Sequence, residues 1–179
     1  TSLMPVREAL HRLTSEELVV MSARRGAAVY PLDGKKARET YELRKVLMGY
    51  AARMAAPAIS PEEIDVLAGL VAEMDGTIGS DTVDMDRYLD LNDQFHAHLY
   101  GPCGNETLIK MIKQLDNFAR MSMHRYFSTP AALREFNAEH KAIVAALRAR
   151  DTNRVEELVG RHYEKTVDDL VDKLDRRTQ

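Results

Sequence analysis

The chain is short of most residues that would point to an oxidised, extracellular or membrane protein. A single cysteine, Cys103, excludes an internal disulfide framework and fits a reducing compartment, so the cytoplasm is the expected location. Tryptophan is absent and aromatic residues make up only 6%. With nine glycines and six prolines in 179 residues, the composition leans towards helix rather than strand. The longest stretch without Asp, Glu, Lys or Arg, Gln94–Asn105, is twelve residues, too short to span a bilayer. No secretory leader pattern opens the chain. Also missing are G-x-S-x-G, a phosphate-binding loop with Gly-Lys-Ser/Thr, and C-x-x-C, so no common hydrolase, nucleotidase or redox motif is available. Cys103 has no sequence neighbour that would lower its pKa and reads as an inert thiol. The 45% apolar and 30% charged fractions are those of an ordinary globule with a core. A net charge of −3 argues, taken alone, against a nucleic-acid partner.

Residues 1–32 differ from the remainder. Pro5–Leu13 has the spacing of a short amphipathic helix, with Val6, Ala9, Leu10 and Leu13 on one face and Pro5 suited to the first turn. Leu18-Val19-Val20 and Ala27-Ala28-Val29-Tyr30 flank a basic turn containing Arg24, Arg25 and Gly26, a strand–loop–strand pattern. One helix and one hairpin cannot bury a core alone, so this piece either packs on the rest or belongs with helices upstream. It carries four Lys/Arg against three Asp/Glu, whereas residues 33–179 carry 21 against 25.

From residue 33 onward the period is helical. Segments are expected at 34–56, 60–79, 82–100, 105–127, 129–149 and 151–175. Ser60-Pro61-Glu62-Glu63 reads as a capping box, Gly101-Pro102-Cys103-Gly104 as a stop, and Asn105, Thr129 and Asp151 as helix starts. Short connections favour antiparallel neighbours, hence an all-α up-and-down bundle.

Four side chains stand out as candidate ligands: Asn92, His96, His140 and His162. Asn92 and His96 lie one helical turn apart, and His140 and His162 occupy the last two helices across a short turn. Convergence inside a bundle would make a transition-metal site; the alternative is a set of unrelated histidines. His98 should face away from His96, at about 200° of rotation, and His124 has no partner that spacing identifies. Arg44 would need an anion if it points inward, and is otherwise a solvated helix arginine. Asp93 and Glu139 adjoin candidate ligands in sequence but are turned away by about 100° of helix rotation, so no general base is expected beside the site.

The string Met4-Pro5-Val6-Arg7-Glu8-Ala9-Leu10, with Leu13, Leu18-Val19 and Arg24-Arg25-Gly26-Ala27, resembles the second half of the winged helix in GntR-family transcription regulators. The helical remainder resembles the FCD ligand-binding domain of the FadR-like subfamily. The matching features are Leu43-Arg44, Ala51-Ala52, Phe95-His96-Ala97-His98-Leu99, Gly104-Asn105, Glu139-His140 and Arg161-His162. The resemblance implies a partial winged helix-turn-helix over residues 1–32, its first two helices lying upstream, and an effector-binding, dimerising helical domain over residues 33–179. It places Ser2, Leu3 and Arg7 towards DNA, with Arg24 and Arg25 at the wing tip. Leu3 stands where the family often has arginine.

In the helical domain the resemblance implies a divalent metal, zinc or nickel, held by Asn92, His96, His140 and His162, with Arg44 near a small carboxylate effector. Asn92 keeps an oxygen donor but not the charge of the family's aspartate, and Met48 replaces an acidic companion of Arg44. Glu17 and Arg150 stand where glycine is common at helix ends, and the local turns are expected to adjust. The implied protein is a homodimeric, non-enzymatic regulator of operator DNA, more often a repressor, with no membrane partner. The alternatives are a metal-dependent enzyme acting on a small carboxylate and a metal-free effector-binding regulator.

Overall fold

The computed structural model describes residues 3–15, 18–22, 26–31, 33–79, 81–127 and 129–176. It contains α1 (Met4–Ser15), β1 (Val19–Ser22), β2 (Gly26–Val29), α2 (Gly34–Ala55), α3 (Pro61–Gly76), α4 (Met85–Tyr100), α5 (Glu106–Tyr126), α6 (Pro130–Arg148) and α7 (Thr152–Asp175), with a 3-10 turn at Gly101–Cys103. Among the described residues no helix is long and apolar enough to cross a membrane.

The helix starts follow the predicted chemistry. Ser60 Oγ accepts from the Glu63 amide while Glu63 Oε2 accepts from the Ser60 amide, closing the capping box. Asn105, Thr129 and Asp151 accept amide hydrogens at the first turns of α5, α6 and α7. Asp33 does the same for α2, a cap the sequence reading did not assign. The segments expected at 60–79 and 82–100 are shorter than predicted. Between α3 and α4 an isolated antiparallel bridge joins Ile78 to Val83, because the extended backbone there satisfies its own amides.

The bundle is not a simple up-and-down succession. The first and last helices, α2 and α7, form its most extensive pairing, and α5 packs mainly on α2 rather than on its successor α6. Buried positions on α2 (Ala37, Tyr41, Arg44, Met48, Ala51, Ala52, Ala55) follow the helical period, as do Val155, Val159, His162, Tyr163, Val167 and Leu170 on the buried face of α7. Gly49 on α2 lies where a Cβ would meet Glu156 O of α7 at 3.8 Å, so the two helices approach closely there. α3 is sandwiched between α4 and α6, and Asn137, fully buried on α6, donates to Val71 O and Asp75 Oδ1 of α3.

At the N-terminus β1 and β2 pair antiparallel, Val19 opposite Val29 and Ser22 opposite Gly26. The Leu18 amide donates to Leu13 O, and the Tyr30 amide to Leu18 O, tying α1 to the hairpin. α1 has no buried residue: Leu10 and Leu13 are half-buried, while Val6 and Ala9 of its expected apolar face are exposed.

Arg150 corrects one expectation. The turn between α6 and α7 does not adjust to it; Arg150 adopts φ +57°, the left-handed conformation that favours glycine. Its Nη1 donates to Ile59 O at 2.6 Å, which offsets the strain by anchoring the turn to the end of α2 and start of α3. Glu17, the other such position, lies outside the described residues. Replacement of Arg150 therefore separates two opposing effects. Both Arg150→Ala and Arg150→Gly lose the hydrogen bond, but only glycine relieves the backbone. Urea denaturation should find the alanine variant less stable than the glycine variant by about 1 kcal/mol; equal stabilities would refute the strain argument.

Candidate metal centre

Three helices deliver one imidazole each to a common point. Phe95 and Leu99 are buried in α4, which turns His96 inward one position from Phe95. Leu133, Phe136 and Asn137 bury the face of α6 that carries His140, and Val159, Tyr163 and Thr166 bury that of α7 carrying His162. The ring centroids form a triangle: His96–His140 5.3 Å, His96–His162 5.8 Å and His140–His162 5.0 Å. One ring nitrogen from each lies within 4.8 Å of the others. Ligand nitrogens of one ion at metal–nitrogen lengths near 2 Å lie no more than about 4 Å apart, so a slight closing of the rings would let them share one.

The three rings are held differently. His162 Nδ1 is 2.6 Å from Glu139 Oε2 and donates to it, leaving Nε2 as its ligand atom. His96 Nδ1 is 3.3 Å from the Tyr100 hydroxyl, which is 3.2 Å from the Tyr163 hydroxyl. His140, fully buried, has no hydrogen-bond partner on either ring nitrogen. A neutral imidazole with both nitrogens unmatched in the interior is costly, about 1–3 kcal/mol for each unsatisfied group. A metal ion accepting one lone pair would remove part of that cost, so the donor set fits a borderline-soft divalent cation. Burial and the neighbouring His162 hold His140 neutral, well below the usual imidazole range. Burial, then His140, His162 and Arg44, does the same for His96.

Beside the histidines lies a cavity of about 40 Å³ whose lining includes Arg44, Asn92, Asp93, His96, Asp116, Arg120, His162 and Tyr163. On this measure a single water needs roughly 10–15 Å³, so the space suits an ion with a few small ligand atoms. Arg44 is only 5% exposed, which excludes the solvated-arginine reading. Its Nη1 donates to Asp116 Oδ1 at 2.9 Å, while its Nε has no partner. Burial opposes the guanidinium charge, but the oxygens of Tyr163, Tyr41 and Asp116 hold it protonated, above its ordinary range. Burial likewise pushes the Tyr163 hydroxyl up to about 12, so it stays a neutral donor.

Asn92, half-buried one turn before His96 on α4, lines the same cavity. His98 is exposed, and His124 is exposed near Asp86, so neither joins the group. The sequence expectation for two carboxylates fails. Asp93 lines the cavity and accepts from Arg120 at 2.5 Å, and Glu139 bonds a candidate ligand directly. Rotation along one helix misled because Glu139's partner is not its neighbour His140 but His162 on α7. Asp116, 72 positions from Arg44, had no local signal at all. Of the expected DNA-facing residues, Leu3 and Arg7 are exposed one turn apart at the start of α1. Ser2, Arg24 and Arg25 lie outside the described residues.

The FCD domain family matches residues 39–165. The Nta operon transcriptional regulator of Aminobacter aminovorans is 29% identical over 168 residues, spanning 94% of this chain and 77% of that protein. The HTH-type transcriptional repressor GlaR of Escherichia coli is 28% identical over 166 residues, 88% of this chain and 74% of that protein. Among solved structures, E. coli McbR/YncC superposes with a TM-score of 0.85 at 24% identity, over 97% of this chain and 86% of that one. A metal-free FCD domain superposes with a TM-score of 0.68 at 18% identity, over 82% of this chain and 99% of that one.

The depressed histidine values make a signed prediction. In the unfolded chain these imidazoles take up protons around their ordinary value of 6.5, while in the fold His96 and His140 resist until lower pH. Stability of metal-free protein is therefore full above that value and falls as pH drops below it. The loss should reach up to about 1.4 kcal/mol per pH unit for each histidine. Denaturation between pH 7.5 and 5.5 measures it, and His140→Leu should flatten the slope; an unchanged slope would refute the assignment.

Proposed function

Because this chain belongs to the FCD-domain family of GntR transcription regulators, we propose that it is an effector-responsive DNA-binding regulator whose signal is a small organic acid received at the histidine centre. The coarser part, a transcription regulator rather than an enzyme, follows from its relatives. The observation that carries the finer part is the convergence of His96, His140 and His162 on one another beside a cavity that His96 and His162 line together with Asn92 and the buried Arg44.

In this reading His96, His140 and His162 hold a divalent transition metal, zinc or nickel, with Asn92 supplying an oxygen. The ion provides a Lewis-acidic anchor for a carboxylate. Arg44 provides the second anchor, a charge-assisted donor already desolvated and held in place by Asp116. The Tyr163 and Tyr41 rings flank the Arg44 guanidinium, at 5.1 Å and 5.8 Å, and limit its swing. The cavity volume favours an acid of few carbons.

Residues 1–32 form the DNA-contacting piece and residues 33–179 the effector and dimerisation domain of a homodimer. Arg7, exposed at the start of α1, faces the major groove with Leu3 and Ser2, and Arg24 and Arg25 grip the backbone or minor groove. The effector can shift DNA affinity only by its differential affinity for the two arrangements of the dimer. Repression is the expected sign.

Elemental analysis of gently purified protein should find about one transition-metal ion per chain. Alanine at His96, His140 or His162 should each abolish stoichiometric retention, and metal content unaffected by all three would sink the assignment. Arg44→Gln should keep the metal while weakening calorimetric binding of acetate, lactate or malate by about ten- to a hundred-fold. On a DNA fragment selected by the protein from a random pool, Arg7→Ala should cost about 1–3 kcal/mol of affinity if it reads a base. If it meets only phosphate, it should lower the salt slope by about one instead.

A further inference from the structure

The ligand set proposed above contains no anion. Three imidazoles and an amide oxygen leave the charge of a divalent ion uncompensated within the bundle, where isolated charge is costly. Three carboxylates approach the centre, and two of them face arginines. Asp116 accepts from Arg44, and Asp93 accepts from Arg120, which also binds Asp90. The third, Glu139, meets a candidate ligand: its Oε2 is 2.6 Å from His162 Nδ1, and the two side chains are 26% and 8% exposed. The other Glu139 oxygen is 3.5 Å from Lys165 Nζ, whose closer bond, at 2.8 Å, goes to Glu135. Glu139 is thus the carboxylate whose charge is least spent on an ordinary ion pair.

We propose that Glu139 is a positioning residue of the metal centre, and that its charge, passed through the His162 imidazole, replaces the anion that Asn92 does not supply. The inference rests on the metal reading above. A carboxylate behind a ligating imidazole fixes the proton on Nδ1, aims the Nε2 lone pair at the ion and strengthens the ring as a donor. His96 has only the longer bond to the neutral Tyr100 hydroxyl, and His140 has nothing behind it. The three ligands are therefore unequal, and His162 is the strongest. Glu139 does not line the cavity that His162 shares with Arg44, so compensation of the ion does not compete with an acid bound at Arg44.

The test uses Zn²⁺ as probe, with affinity measured by competition against a chromophoric chelator and folding checked by circular dichroism. Glu139→Gln keeps an acceptor for Nδ1–H and removes the charge, and its Zn²⁺ affinity should fall about ten- to a hundred-fold. Glu139→Asp keeps the charge with shorter reach and should lose less than the glutamine variant. Asn92→Asp should restore most of the loss in the E139Q background and improve the wild type by a smaller factor, since the two anions serve the same charge. In metal-free protein, nitrogen-resolved NMR of His162 should show the Nδ1–H tautomer, which Glu139→Leu should lose. Zn²⁺ affinity of E139Q within about twofold of wild type would overturn the proposal, as would equal gains from Asn92→Asp in both backgrounds. If wild-type protein binds no Zn²⁺ at all, the metal centre itself is refuted and this inference with it, an outcome read before any variant is made.

Discussion

The pairing of α2 with α7 closes the bundle by joining its first helix to its last, and the site depends on that closure. Arg44 is brought against Tyr163 only because α2 lies along α7, and the same packing strips both of water. Small residues make the approach possible: Gly49 of α2 lies against α7, where a Cβ would meet Glu156 O at 3.8 Å, and Gly160 of α7 faces Lys45. His162 then enters from α7, with His96 and His140 from α4 and α6. The centre is assembled from contacts that are remote in sequence, so it exists only when the helical domain is fully packed.

That dependence explains which parts of the molecule were legible in its sequence. Helix existence was readable because caps and apolar periods are local: Ser60 with Glu63, Asn105, Thr129 and Asp151 each act on amides within three residues. The hairpin was equally local: β1 starts one residue and ends two residues later than expected, and β2 lies one residue earlier. The histidines were visible as candidates because Asn92 and His96 share a turn. Their convergence needed the family resemblance, since spacing across three helices does not determine depth in a bundle.

The outer ring of the site was not legible. Asp116 replaces the acidic companion that Met48 displaces on α2, but it does so from α5, through a contact no helical period encodes. Glu139 was set aside by its rotation relative to His140, a sound argument about one helix and an irrelevant one about two. A side chain turned away from its own neighbour faces the next helix, and there it found His162. Arg150 failed in the opposite sense: local chemistry predicted an adjusted turn, and a long-range bond to Ile59 O retained the strained one.

The Asp33 cap has a mechanical side as well. Four residues, 30–33, separate the last residue of β2 from the first of α2, and the cap starts the helix at once. Arg44 is ten residues further along the same rod, about 15 Å at the helical rise. A short tether and a stiff shaft form a lever, with the guanidinium midway along it and the hairpin beyond its first turn. A tilt of about 5° at the cavity displaces the first turn of such a shaft by roughly 1.3 Å, and four connecting residues give it little slack.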